Sequence, residues 1–80
     1  MNEAVGIDVS KATLDVAVHG SKQQHSFPNT SNGLRRLAKW LQVLQPRQVV
    51  LEATGRYDQA ALDALHSAGL PVVRMTPRQV

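Results

Sequence analysis

The stretch Val5-Gly6-Ile7-Asp8-Val9-Ser10-Lys11 decides how the rest of the chain is read. Ala4 to Val9 is apolar apart from Asp8, the pattern of a central strand with both faces covered. An acidic side chain ending such a run is costly to bury unless something pairs with it. A second run, Val49-Val50-Leu51-Glu52, ends in the same way. After the first run, Ser10-Lys11-Ala12 reads as a short polar turn. Thr13 to His19 then alternates, with Leu14, Val16 and Val18 on one face and Thr13, Asp15 and Ala17 on the other. Gly20-Ser21 is a second turn, and Lys22 to Phe27 is a polar strand suited to a sheet edge. Three strands joined by tight turns make an antiparallel meander.

The remainder alternates helix and strand. Thr30, Ser31 or Asn32 caps a helix that continues to about Leu44, with Leu34, Leu37, Leu41 and Leu44 at helical spacing and Trp40 widening the stripe. Pro46 ends it. Gln48 to Ala53 is the strand that carries Glu52. A second helix, about Tyr57 to Ala68, buries Ala61, Ala64, Leu65 and Ala68 and stops at Gly69, with Pro71 just beyond. Leu70 to Met75 is the last strand. A helix between these two strands implies a parallel pair with a crossover. The expected fold is therefore α/β, a mixed five-stranded sheet in the order 3-2-1-4-5 with two helices. That order makes the strands of Asp8 and Glu52 neighbours. Parity agrees, because Ala4, Gly6 and Asp8 share a face, as do Val50 and Glu52.

Composition sets the bounds. The 80 residues make one small domain at most, and 42% apolar content is enough for a core and argues against disorder. With no cysteine, disulfides and thiolate metal sites are excluded, so a metal would need carboxylate, carbonyl, water or imidazole ligands. No apolar run approaches the roughly 20 residues of a membrane span, and no signal-peptide pattern opens the chain. The expected compartment is cytoplasmic. A net charge of +3 suits a polyanionic partner without specifying one.

Two strand-end carboxylates on neighbouring strands suggest a site for a divalent metal. On spacing alone, an Asp capping a strand-end turn and a solvent-facing Glu explain them equally well. Their surroundings are more particular: Gly6-Ile7-Asp8-Val9-Ser10-Lys11-Ala12-Thr13-Leu14-Asp15-Val16-Ala17-Val18, then Leu51-Glu52-Ala53-Thr54-Gly55-Arg56-Tyr57, then Pro77-Arg78-Gln79-Val80. With the Phe27-Pro28-Asn29-Thr30 segment, Gly33 and Ala68-Gly69, these blocks resemble the N-terminal, RuvC-like domain of the DEDD-type insertion-sequence transposases. That group includes the Piv-type DNA invertases. The resemblance runs across essentially the whole chain.

The resemblance implies a ribonuclease H-like fold and a DNA transposase or recombinase that cuts and rejoins strands at insertion-sequence ends with Mg²⁺ or Mn²⁺. It implies a DNA partner, which can be branched, a guide RNA in some members and a bacterial, nucleoid-associated location. A homo-oligomer is expected for a separate reason, because the small and apolar residues Ala4, Gly6 and Val50 beside the carboxylates have too little covering them. Asp8 and Glu52 match the first two members of the family's Asp, Glu, Asp, Asp set and are the expected catalytic, metal-ligating residues. The other two would lie C-terminal to Pro77-Arg78. On this reading residues 1–80 are the N-terminal part of the catalytic domain, truncated at its C-terminus. The rest of that domain and a C-terminal transposase domain lie beyond Val80, and the fragment alone is inactive. Ser10, Lys11, Thr54, Gly55 and Arg56 flank the two carboxylates at turns and are the expected substrate contacts, with the second helix offering its N-terminus.

Bland readings cover the other polar residues. Ser10 also reads as an ordinary turn residue, and Asp15 as a paired or solvent-facing one. Arg35, Arg36 and Lys39 read as a solvated basic helix face, and Trp40 and Tyr57 as core. His19, His25 and His66 lack ligand-like spacing. Two other classes of function share the strand order. One is an actin- or sugar-kinase-like nucleotide-binding half-domain, whose phosphate hairpin places a glycine between the Asp and a Ser/Thr-rich turn; Val9-Ser10-Lys11 stands here instead. The other is a non-catalytic DNA-binding or assembly module.

Overall fold

In the computed structural model, which describes residues 3–53 and 57–75, the chain runs β1 (Ala4–Val9), β2 (Thr13–Val18), β3 (Gln24–Pro28), α1 (Ser31–Leu44), β4 (Gln48–Ala53), α2 (Gln59–Ser67) and β5 (Val72–Met75). The strands form one sheet in the order β3-β2-β1-β4-β5. β1–β2 and β2–β3 are antiparallel, and β1–β4 and β4–β5 are parallel. This is the ribonuclease H-like arrangement expected from the alternation of patterns.

One face of the sheet makes the core. Val5, Ile7 and Val9 from β1, Leu14, Val16 and Val18 from β2, and Val49 and Leu51 from β4 are buried there with Leu34, Leu37 and Leu41 of α1 and Ala61 and Leu65 of α2. Trp40 packs half-buried against the rings of Phe27 and His25, closing the core beneath the edge strand. The opposite face is open. Gly6, Asp8, Asp15, Ala17, Glu52, Val73 and Met75 are exposed on it. β1 is therefore covered on one side only, whereas its near-continuous apolar run reads as covered on both. Gly6 explains the difference, since it adds no apolar side chain to the open face.

Capping sets the helix ends. Thr30, in extended backbone, accepts the Gly33 N–H on its side chain at 3.0 Å and starts α1. α1 ends on Gln45 in the left-handed region at φ 53°, with its N–H bonded to the Leu41 carbonyl and Pro46 following. α2 ends on Gly69 at φ +79°. There the Gly69 and Leu70 N–H groups return to the carbonyls of His66 and Leu65, and Leu70 packs into the core.

Three local expectations are corrected. The edge strand covers Gln24–Pro28 rather than Lys22 to Phe27, because Ser21 accepts the Gln23 N–H and holds that segment as a turn. α2 begins at Gln59 rather than about Tyr57, with Asp58 at its cap position. Tyr57 thus precedes the helix and is 46% exposed, not a core residue.

Candidate functional site

β1 and β4 are in a register that makes Asp8 and Glu52 direct cross-strand partners. On its other side β1 sets Asp8 opposite Asp15 of β2. The pairing continues outward, with Ser26 opposite Asp15 and Met75 opposite Glu52. One row therefore crosses the whole sheet: Ser26, Asp15, Asp8, Glu52, Met75. All five side chains are exposed on the open face. The two residues expected to form a site are brought together at the sheet centre, with a third carboxylate beside them.

From Ser26 to Glu52 the row lies in a shallow trough that Gly6, Asp8, Asp15, Ala17, Ser26 and Glu52 help to line. A Cβ added at Gly6 would meet no atom within 4 Å, so the floor beside Asp8 is open to a ligand. Asp15 is partnered, accepting a hydrogen bond from Ser26 Oγ at 3.0 Å. Asp8 and Glu52 accept no side-chain hydrogen bond among the described residues. Like charges directly opposite on adjacent strands repel. A hard divalent cation relieves that repulsion and takes oxygen ligands by preference. Two carboxylates in register fit such an ion, with water or further donors completing its shell. Among the described residues no three metal-ligating side chains converge into a cluster.

The turn after Asp8 is built firmly. Ser10 Oγ donates to the Thr13 carbonyl at 3.1 Å, contacts Thr13 Oγ1 at 2.9 Å and accepts the Thr13 N–H at 3.2 Å. Its hydroxyl is engaged in the turn, while Lys11 at the tip is exposed. Thr54, Gly55 and Arg56, the other expected contacts, lie outside the described residues, as does Pro77-Arg78.

Asn29 is the residue that sequence reasoning did not single out for a role. Its Nδ2 donates to the Ser10 carbonyl at 2.8 Å and to the Tyr57 carbonyl at 3.5 Å, and its backbone N–H donates to Ala12 at 2.9 Å. One side chain thus joins the turn after β1, the entry to α1 and the approach to α2. Its position between Pro28 and the Thr30 cap was the available signal, but short segments of this kind look like ordinary loop.

Against this geometry, the family model for DEDD transposases of the IS110 type matches residues 5–80. Among curated proteins, none matches this sequence. Of solved structures, T. thermophilus RuvC in complex with a Holliday junction substrate is similar in fold, with TM-score 0.66 and 18% identity over 96% of this chain. The Aquifex aeolicus Ppx/GppA phosphatase, in its type II variant, matches with TM-score 0.53 and 14% identity over 99% of this chain. The chain spans 66% of the length of the first and 37% of the second.

Proposed function

This chain belongs to the IS110-type DEDD transposase family, and from that premise we propose that it supplies the first two carboxylates of a metal-dependent DNA strand-transfer site. The observation that carries the reading is the register of Asp8 against Glu52 on an open face. Mg²⁺ or Mn²⁺ held there would activate the attacking oxygen and stabilise the leaving oxygen of a phosphodiester.

The chain's own part is positional. Asp8 and Glu52 project from the two central strands, so their spacing is fixed by the sheet ladder rather than by a loop. The Ser10–Thr13 turn and Asn29 hold the strand ends. Lys11 would meet a phosphate from the turn tip. Thr54, Gly55 and Arg56 would meet another at the start of the next segment, where glycine permits close approach and a guanidinium grips two oxygens. The substrate is DNA at element ends, including branched forms, with a guide RNA where the element encodes one. Residues 1–80 act as the first part of the catalytic domain of a bacterial cytoplasmic enzyme that works as a homo-oligomer.

The test is recombination of element ends by the protein that carries this chain. Asp8→Asn or Glu52→Gln is expected to reduce it to background, and near-normal activity in either would remove that residue from the site. The strand order shared with actin- and sugar-kinase-like half-domains leaves nucleotide binding as the second reading. Calorimetry separates the two: ATP binding in the low micromolar range would favour it over the nuclease reading.

A further inference from the structure

Arg35, Arg36 and Lys39 are exposed on α1, a helix whose sequence contains no acidic residue. Their placement is electrostatically unfavourable within the protein. None of the three lies in the last turn of α1, where the helix dipole would favour a cation. Arg35 and Lys39 are four positions apart and Arg36 and Lys39 three, spacings at which like charges repel. Among the described residues the ion pair is Arg74 with Asp58, which leaves these three without a carboxylate. Nor does folding require them, since Leu34, Leu37 and Leu41 supply the packing of α1 and Thr30 its cap. A polyanion is the kind of ligand that turns this arrangement from repulsive to favourable.

The surroundings suit an extended backbone. Ser31, Leu34, Arg35 and Ala38 of α1 and Ala60 and Ala64 of α2 line a shallow groove between the two helices. Alanines along both walls let a rod-like ligand come close, and Arg35 and Ser31 offer donors along it. The face lies across the sheet from Asp8 and Glu52, so what binds there is not the strand held at the carboxylates.

We propose that the outer face of α1 is a second DNA contact, which grips the sugar–phosphate backbone of a duplex without reading its bases. It rests on the reading that this chain works on DNA, but not on the metal site. Only phosphate contacts are involved, so affinity should fall steeply with salt.

The experiment measures binding of the 80-residue chain to a fluorescent DNA duplex across a salt series in EDTA. The double variant Arg35→Gln/Lys39→Gln is compared with Lys22→Gln/Arg47→Gln, which removes the same net charge elsewhere. Two lost phosphate contacts should lower the slope of log K against log salt by about 1.8. That drop, confined to the α1 pair, is the expected result. Equal effects from both pairs, an unchanged slope in the α1 pair, or no binding by the parent chain would overturn the proposal. So would stronger binding to duplex RNA or to polyglutamate than to DNA. Because the series is run in EDTA, its outcome does not depend on the metal site. Near-normal recombination by Asp8→Asn of the protein that carries this chain would sink the site reading and leave the α1 effect on the slope standing.

Discussion

At Gly33, α1 passes so close to β3 that an added Cβ would stand 1.9 Å from the Pro28 carbonyl oxygen and 2.9 Å from its carbon. That contact is with backbone, which cannot swing aside as a long side chain would. Gly33→Ala is expected to destabilise the chain by about 3 kcal/mol, the upper end of overpacking costs, read as a lower urea midpoint at unchanged slope. A midpoint like that of the parent would show that α1 and β3 separate easily. The sequence shows a glycine near a helix start, where it is normally unfavourable, but not the carbonyl that demands it. Asp15 is a similar case. Period-two alternation puts it on the face opposite Leu14 and Val16, but only the pairing register sets it beside Asp8. Ser10 was legible as a turn residue because its role is local. Asn29 was not, because its partners Ser10 and Tyr57 are distant in sequence. Asn29→Ala should cost about 1–3 kcal/mol, the range for a carbonyl left without its donor, in the same measurement.

The helices and strands were read from the chain almost to their ends, because amphipathic spacing and Gly–Pro punctuation are local signals. What shifted the start of α2 is tertiary. Asp58 is 8% exposed and pairs with Arg74 on β5, whose Nη2 also donates to Gln59 at 2.7 Å. This contact fixes where the helix begins, and it joins residues that no window along the sequence contains together. Arg74→Ala would leave a nearly buried carboxylate unpaired. Arg74 is 40% exposed at its side chain, so solvent offsets part of the loss. A destabilisation of about 1–3 kcal/mol is expected, and Arg74→Ala/Asp58→Asn should recover part of it. Failure of the double variant to recover any stability would mean that the pair is not coupled. At the other helix, Gln45 holds φ 53° without being glycine. Gln45→Gly should raise the melting temperature, by about 1 kcal/mol of stability, through relief of the left-handed strain. A lower melting temperature would show that unfolded-state entropy dominates there.

Across the whole molecule the helices cover one side of the sheet and leave the other to solvent. Beside the carboxylates, Gly6 and Ala17 are exposed, Val73 and Met75 are 45% and 51% exposed, and Ala4 and Val50 are partly so. An apolar surface of this kind favours association, and sedimentation at micromolar concentration should show a dimer. A clean monomer would contradict that. The carboxylate row acts in the opposite sense, since its charges repel within each copy. Without divalent ions, Asp8→Asn should therefore melt higher than the parent chain, and added Mn²⁺ should stabilise the parent more than the variant. Equal shifts in both would place the ion elsewhere.

The pairing of β1 with β4 also sets an order in time. β2, β3 and α1 all lie between these strands in sequence, so their pairing closes a longer loop than any other strand pairing in the sheet. Closing a loop costs more entropy as it lengthens, and contacts of such range tend to form late. The meander and α1 can assemble while one edge of β1 still lacks its neighbour. Until β4 docks, Asp8 has no Glu52 beside it and β1 presents an open, apolar edge to other chains. On a ribosome, that interval would last until β4 had emerged. Closure of the open edge of β1 and the pairing of Asp8 with Glu52 are thus the same folding event, with β5 adding to β4 afterwards, and the growing chain is most exposed to misassembly just before it.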